Sequence, residues 1–313
     1  MAFLHHPPAC CLGVDVAKDS LTVCNGREAA VTVANSRSAI RAMLRKARPD
    51  LVVCEPTGGY ELLLLEECLK AGIACHRADT MKLKSFIRSF GTLGKSDAID
   101  AAQMAAYGSE RWARLALWQA PDANERQLQA LVRRRADLVA LRVAERNRSR
   151  APGAKPVAAS FRAILAAVER QIGALDAAIA ALVARGHSLA RRIAVCTAMG
   201  GIGLTCAATL LAQMPELGTL QRRQAAALAG TAPHPNESGT ATGRRHQRGG
   251  RPQVRTALFM PALYAAAGKG EFAAFYRRLI DNGKRSIVAV AAVMRKIIVT
   301  LNARLRDAEI AQS

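Results

Sequence analysis

Two acidic residues three positions apart are the first candidates for chemistry in this chain. Asp97 and Asp100 stand at the start of an Ala-rich helical pattern, in the stretch GKSDAIDA. Residues three apart lie on one face of a helix, and neighbouring carboxylates repel unless a cation, a proton or an arginine lies between them. The alternative is that Ser96 caps the helix and the two acids only occupy its first turn.

Two further acids follow strand-like runs upstream. Asp15 lies near the end of the apolar run CCLGVDVA, and Glu55 directly follows LVVC. If these strands are parallel neighbours, both carboxylates lie at one edge of the sheet, and the helix that begins near Asp97 can pack across that edge. Four acids in a strongly basic protein then favour bound Mg²⁺ or Mn²⁺, and a metal pair ~4 Å apart can assist phosphate chemistry. Each acid could instead end its strand in solvent, and Asp19 is an alternate ligand that more readily faces water.

The pattern around these acids predicts an α/β domain over residues 1–120. Three strands in hairpin order are followed by alternating helices and strands, which is typical of a mixed sheet covered by helices. The predicted strands span residues 10–17, 20–25, 29–34, 51–54 and 73–78, and the predicted helices span residues 36–47, 60–71 and 81–90.

From residue 121 onward the pattern becomes almost purely helical. Residues 121–189 predict a helical hairpin, broken at Ala151-Pro152-Gly153, and residues 190–313 predict a mainly α C-terminal domain. In the second helix of the hairpin, apolar residues step by three and four over nearly three heptads, the seam of a coiled coil. That seam can pack within one chain or against another subunit, so a homo-oligomer (dimer or tetramer) is an open alternative. The seam comprises Leu165, Val168, Ile172, Leu175, Ile179 and Leu182.

Net charge and cysteine content indicate which binding partners and which redox compartment to expect. The net charge is +21 with a pI near 10.6, and a protein this basic most often binds a polyanion, although membrane surfaces also attract cations. No uninterrupted apolar run approaches the ~18 residues of a membrane span, and no signal peptide is visible, so we expect no membrane partner and a cytoplasmic location. The eight cysteines form no C-x-x-C pair, which indicates reduced, buried thiols and argues against zinc.

Two glycine-containing segments of the C-terminal part could contact phosphate. Gly201 and Gly203 open a helix whose backbone N–H groups could hold a phosphate, as in a helix-hairpin-helix, although a plain helix-joining turn fits equally. Downstream, Ser238 precedes a Gly- and Arg-rich loop that favours nucleic-acid contact, with flexible disorder as the alternative. From the residues alone Ser238 is a turn serine. The candidate arginines are Arg244, Arg245, Arg248, Arg251 and Arg255.

The ordered set of these motifs resembles the DEDD transposases of bacterial insertion sequences, nearly end to end. That family includes the pilin-gene inverting recombinase and the bridge-RNA-guided recombinases. The resemblance rests on GVDVAK at residues 13–18, EPTGGY at 55–60, GKSDAIDA at 94–101, GIG at 201–203, LAG at 228–230, SG at 238–239, GRR at 243–245, GGR at 249–251 and FY at 275–276.

The resemblance implies a RuvC/RNase H-like N-terminal domain, similar to a Holliday-junction resolvase, with Asp15, Glu55, Asp97 and Asp100 as its metal ligands. It implies that Ser238 attacks a DNA phosphodiester and forms a covalent phosphoserine link, in a composite site whose parts come from one or two subunits. It also implies that the partners are the DNA of the element ends and target, with a structured guide RNA and a nucleoid-associated location. Glu237 departs slightly from the expected pattern but leaves the serine in place.

Two other functions stay open at the level of the residues. A RuvC-like junction nuclease would use water as the nucleophile and would not need Ser238. A non-catalytic nucleic-acid-binding or assembly protein would use the acids only structurally.

Overall fold

A computed structural model describes residues 2–91, 94, 96–238, 241–243 and 245–311 of the chain. It divides into two compact units, Met1–Ala120 and Pro121–Ser313.

The first unit is built on a five-stranded mixed sheet. The strand order is β3-β2-β1-β4-β5, in which β1, β2 and β3 are antiparallel while β4 and β5 run parallel to β1. This confirms the mixed α/β sheet predicted from the hairpin order and the alternation that follows it. The strands are β1 Cys11–Val16, β2 Ser20–Cys24, β3 Val31–Ala34, β4 Leu51–Cys54 and β5 Ala74–Arg77.

Helices cover both faces of this sheet. Alternate strand residues such as Val14 and Val52 pack with the helices on one face, while Cys11 and Val53 pack on the other. A strand buried on both faces is apolar at every position, which explains the uninterrupted run LVVC. The helices are α1 Arg37–Ala47, α2 Leu62–Lys70, α3 Thr80–Ser89 and α4 Asp97–Arg111; α1 and α2 cover the first face, α3 and α4 the second.

The second unit is mainly helical, as predicted. Its first two helices form an antiparallel hairpin within the chain. Val168, Ile172, Ile179 and Leu182 of the predicted seam are buried. The helices are α5 Ala123–Arg148, α6 Ala158–Arg185, α7 His187–Thr197, α8 Leu204–Gln213, α9 Arg222–Leu228, α10 Pro252–Ala266, α11 Ala273–Asp281 and α12 Ser286–Ile310.

Ion pairs join the two helices of the hairpin beside the apolar seam. Arg135 donates two hydrogen bonds to Asp176, at 2.5 and 3.2 Å, and Arg142 and Arg146 both contact Glu169. Part of the dense arginine face of α5 is therefore used to pair with α6.

The last helix corrects one sequence-based expectation. Within the described residues, α12 is the single unbroken helix long and apolar enough, by length and composition, to cross a membrane. Counting uninterrupted apolar residues missed it because Arg295 and Lys296 interrupt the run. Its apolar residues, including Val293, Ile297 and Leu301, are buried in the core of the second unit.

Candidate functional site

The two strand-borne acids lie at the same edge of the sheet. β1 and β4 are parallel neighbours in which Val14 is paired with Cys54, so Asp15 and Glu55 occupy the next position of the same register. Both residues are partly buried. The predicted pairing of these two strands is confirmed, and it places both carboxylates at the carboxyl end of the parallel pair.

Helix α4 lies directly on β1, close enough for backbone to touch backbone. A Cβ built on Gly13 would overlap the carbonyl oxygen of Ala101 and would lie 2.8 Å from Met104 Cβ. A Cβ on Gly108 would overlap the Cys11 side chain. Higher residue numbers in the helix therefore meet lower numbers in the strand, and α4 runs antiparallel to β1.

This direction brings the start of α4 to the acidic edge. From Ala101 back to Asp97 the helix rises about 6 Å, and from Gly13 to Asp15 the strand advances about 6.6 Å. Asp97 is exposed and Asp100 is half-buried. The backbone thus carries all four acids to one edge of the sheet, which we call the acidic edge.

The side chains at the acidic edge do not form a ready ligand cluster. Across the part of the chain that the structure describes, no three His, Cys, Asp or Glu side chains come together in a group that could hold a metal ion. Carboxylate oxygens are the ligands that Mg²⁺ prefers, so the donor type fits a divalent cation, whereas convergence of the four side chains is not present.

The capping role proposed for Ser96 is present in the structure. Its hydroxyl accepts a hydrogen bond from the backbone N–H of Ile99 at 3.3 Å, and its backbone is extended, as an N-cap requires. Asp97 and Asp100 therefore also occupy the first helical turn, where the helix dipole favours negative charge.

A buried acid that the sequence analysis missed shapes the loop after Glu55. Glu61 accepts hydrogen bonds from the backbone N–H of Thr57 at 3.0 Å and of Gly59 at 2.8 Å, and it pairs with Arg77 at 3.4 Å. Burial alone would raise the pKa of Glu61, but these hydrogen bonds and Arg77 outweigh it and lower the pKa. A charged residue directly before the apolar start of α2 was the available signal.

A second missed residue ties together the loops that follow β1 and β4. The side-chain amide of Asn35 donates to the carbonyl oxygens of Ala17 at 3.0 Å and Tyr60 at 3.2 Å. One loop follows Asp15 and the other follows Glu55, so Asn35 fixes the spacing between the two acid-bearing strand ends. It acts as a positioning residue.

The loop that carries Ser238 is a short β-ribbon where the sequence analysis expected irregular structure. Its inner strands β7 Glu237–Ser238 and β8 Ala241–Thr242 are antiparallel, with Ser238 paired with Ala241. The outer strands are β6 Pro233–His234 and β9 His246–Gln247, also antiparallel. Ser238 is exposed at the end of the inner pair.

The base of the ribbon is anchored to the second unit. The side-chain amide of Gln247 donates to the carbonyl oxygens of Thr231 at 3.0 Å and Ala291 at 3.3 Å. Gly230 and Gly250 both have positive φ and approach so closely that a Cβ on Gly250 would overlap the Gly230 backbone. A rigid base therefore carries the exposed serine.

The five candidate arginines separate into two groups. Arg251 forms a bidentate pair with Glu216, at 2.8 and 2.7 Å, and also donates to the Gln213 carbonyl, while Arg255 donates to the carbonyl oxygens of Gly230 and Gly249. These two arginines hold the fold together. Arg245 and Arg248 are exposed, and Arg244 lies outside the described residues.

The glycine turn between α7 and α8 packs against α10. Gly201 has φ +90°, and a Cβ there would lie 3.0 Å from the Tyr264 ring. Gly203 is the exposed N-cap residue of α8 and has open space around it. Packing alone accounts for Gly201, whereas nothing in the fold requires glycine at position 203.

Comparisons with known proteins agree on one family. Residues 12–152 match the family model of the IS110 DEDD transposases, and residues 194–277 match the model described as transposase of the IS116/IS110/IS902 family. Among solved structures, the chain matches the RuvC structure of Thermus thermophilus at 15% identity with a TM-score of 0.26, covering 34% of this chain and 99% of that one. No curated protein matches the chain. The two family matches together span most of the sequence.

Proposed function

The chain belongs to the IS110 family of DEDD transposases, and we propose that it cleaves and exchanges DNA strands with the acidic edge as its metal site and Ser238 as its nucleophile. The observation that carries the proposal is the register of β1 and β4, which sets Asp15 beside Glu55 while α4 brings Asp97 and Asp100 to the same edge.

The acidic edge would hold Mg²⁺ or Mn²⁺ through Asp15, Glu55, Asp97 and Asp100. A divalent cation bound there would neutralise phosphate charge and stabilise a leaving oxygen. Glu61 and Asn35 keep the two strand-end loops in place, so the backbone positions of Asp15 and Glu55 are fixed before an ion binds. This pre-positioning costs less than assembling the loops on binding.

The proposed covalent step uses the exposed hydroxyl of Ser238. Its oxygen bonds to phosphorus while the bond from phosphorus to one sugar oxygen breaks; the serine proton passes to water and the leaving oxygen gains a proton. Attack by a sugar hydroxyl of another strand on the phosphoserine then reverses the step. One ester replaces another, so strand joining needs no ATP.

The ribbon supports this role because it combines exposure with a fixed base and cations. Arg245 and Arg248 lie on the same segment as Ser238, and arginine pairs with phosphate through two hydrogen bonds. The exposed Gly203 N–H at the start of α8 is a further candidate for phosphate contact. A structured guide RNA, a homo-oligomeric assembly and a cytoplasmic location rest on the family resemblance.

Metal titration of purified protein tests the acidic edge. Replacing Asp97 and Asp100 with Asn should abolish Mn²⁺ binding measured by calorimetry, whereas Glu110→Gln, at an exposed acid near the other end of α4, should leave it unchanged. Unaltered Mn²⁺ affinity in the Asp97/Asp100 variant would show that the acids are structural.

Denaturing gels of the protein incubated with DNA test the nucleophile. Ser238→Ala should lose the covalent DNA adduct and all strand joining while Mn²⁺ affinity is retained, and Ser160→Ala, an exposed serine of α6, should keep both. Unchanged DNA cleavage by Ser238→Ala would favour the water-using junction nuclease.

A further inference from the structure

Helix α1 presents a row of arginines along one face. Arg37, Arg41 and Arg45 are spaced by four residues along one face of α1, Arg48 follows as its C-cap residue, and all four are exposed. The adjacent face, with Ile40 and Leu44, packs into the core. We call these four residues the arginine stripe.

The stripe borders a groove between α1 and α2. The groove has a volume of about 720 Å³, and its cationic lining is Arg41, Arg45, Arg48 and Lys70. Apolar side chains, among them Ile73, form part of the rest of the lining. No aromatic ring of the described residues lines this groove, so its cations can contact phosphate but no side chain in it can stack on a base.

A buried carboxylate organises the cations at the floor of the groove. Glu67 is 1% exposed and accepts from Arg41 Nε at 2.6 Å, Lys70 Nζ at 2.8 Å and Arg37 Nη1 at 3.3 Å. Hydrogen bonds from Arg41 and Lys70 lower the pKa of Glu67 to about 2, so it stays ionised. Arg41 uses only Nε in this pair.

The remaining two arginines are not needed for that pairing. Arg45 and Arg48 form no side-chain hydrogen bond or ion pair with any residue in the described ranges, yet both line the groove. Glu67 therefore pairs with Arg37, Arg41 and Lys70, and the positive charges of Arg45 and Arg48 beside it have no carboxylate partner in those ranges. If the cluster served only to join α1 to α2, Arg45 and Arg48 would be dispensable.

Arg48 also occupies a backbone conformation that disfavours it. Its φ of 44° and ψ of 55° are left-handed, and it is the sole non-glycine residue with positive φ among those described. Glycine is the usual residue at this position after a helix because it has no Cβ. Packing does not explain why an arginine occupies this position.

We propose that the arginine stripe and Lys70 form a track for the phosphodiester backbone of a nucleic acid, separate from the acidic edge. Arginines four residues apart on a helix are about 6 Å apart along its axis, and the stripe from Arg37 to Arg48 covers about 16 Å. Arginine forks pair with phosphates through two hydrogen bonds, and phosphate contacts carry no sequence information, so binding along the stripe should be independent of sequence. The proposal extends the proposed function, because it assumes that the chain acts on nucleic acid.

The track leads away from the acidic edge. α1 begins just after Asn35, which is bonded to the loops beside Asp15 and Glu55, and ends before Asp50, whose carboxylate accepts from the Cys10 N–H at the start of β1. A strand lying along the stripe would therefore be held from the acidic edge to the opposite edge of the sheet.

Salt-dependent binding of the full chain tests the track. Fluorescence anisotropy would follow labelled 20-base-pair duplex DNA and duplex RNA of the same sequence, in EDTA so that the acidic edge carries no metal. The double variant Arg45→Gln/Arg48→Gln is compared with Arg27→Gln/Lys84→Gln, which removes the same charge from exposed positions of the first unit outside the groove.

Two lost phosphate contacts should reduce the slope of log K against log salt by about 1.8. When the salt concentration rises from 50 to 200 mM, the factor by which the native chain loses affinity should be about twelve times the factor for the groove variant. A reduced slope in the groove variant, with DNA alone, with RNA alone or with both, supports the track and identifies its ligand. An unchanged slope with both, or an equal reduction in the control variant, overturns it.

A separate measurement distinguishes this result from failure of the proposed function. The groove variant should keep the native Mn²⁺ affinity and native thermal unfolding. Binding to vesicles of anionic phospholipid is the final arm: a groove variant that loses vesicle binding and keeps nucleic-acid binding would assign the groove to a membrane surface and refute the track.

Discussion

Replacing Gly13 with Ala should push α4 away from the sheet and destabilise the first unit. The glycine lies in the middle of β1, where the helix backbone passes directly over it. A single added methyl group would overlap the Ala101 carbonyl oxygen and the Ala105 nitrogen and would lie 2.8 Å from Met104 Cβ. The first two are backbone atoms, which cannot rotate out of the way.

The cost follows from how far the helix must retreat. Ordinary contact begins at 3.4 Å, so Met104 Cβ alone must move by more than half an ångström, and the backbone atoms must move further. Inserting a methylene group into a packed core costs about 1–3 kcal/mol when side chains can adjust. Because a whole helix has to shift here, we expect about 3 kcal/mol of lost unfolding free energy.

The two tryptophans allow the effect to be assigned to the first unit. Trp112 and Trp118 both lie in Met1–Ala120, so their fluorescence in urea follows that unit alone. The control is Gly173→Ala in the exposed interior of α6, where nothing lies within 4 Å of the new Cβ. That change should stabilise the chain by about 0.8 kcal/mol, measured by circular dichroism.

The size of the loss in Gly13→Ala is decisive. An unfolding free energy, measured by fluorescence, within about 0.5 kcal/mol of the native value would refute the close approach of α4 and β1, since a surface change has that size. It would also remove the reason for placing Asp97 near Asp15.

Three further perturbations have outcomes fixed by the same structure. Glu61→Gln should lower the unfolding free energy of the first unit at neutral pH, as measured by urea titration. Because folding lowers the pKa of Glu61, the difference in unfolding free energy between the native chain and this variant should be fully present above about pH 4.3, the unfolded pKa, and should shrink as the pH falls below it. Arg48→Gly should raise the unfolding free energy by about 1 kcal/mol, by removing left-handed strain, and a loss of stability would contradict the strain. Asn302→Ala should lower the unfolding free energy by about 3 kcal/mol, measured by circular-dichroism denaturation, because it leaves the buried Gly218 N–H and Leu220 carbonyl without hydrogen-bond partners. A loss below about 1 kcal/mol would show that water replaces the amide.

Sequence reasoning succeeded where the signal was local. The run LVVC is apolar at every position, and it forms β4 with the predicted bounds because both faces of the central sheet are covered. Ser96 three residues before Ile99 was sufficient to predict the cap of α4. Each inference needed only neighbours within one turn or one strand.

It failed where partners are distant along the chain. The pairing of Arg251 with Glu216, thirty-five residues away, was not foreseen, and the assignment of Arg251 to phosphate contact stays a prediction. The ribbon around Ser238 was also missed, because its strands are two residues long and carry no alternating pattern. The charge of Glu61 before an apolar helix was visible in the sequence, but its hydrogen-bond partners, the backbone N–H groups of Thr57 and Gly59, were not.

The α/β alternation itself explains why opposite charges lie at opposite edges of the sheet. α4 runs antiparallel to β1, so its N-terminus, which favours negative charge, meets the carboxyl ends of β1 and β4 where Asp15 and Glu55 lie. α1 and α2 each precede a parallel strand, so their C-terminal turns, which favour cations, lie at the other edge and carry Arg45, Lys46 and Lys70. A phosphate backbone is therefore attracted to one edge of this unit and repelled at the other unless a cation accompanies it. If that reasoning holds, added salt should weaken nucleic-acid binding in EDTA more steeply than it weakens Mn²⁺ binding, and equal salt dependence would contradict it.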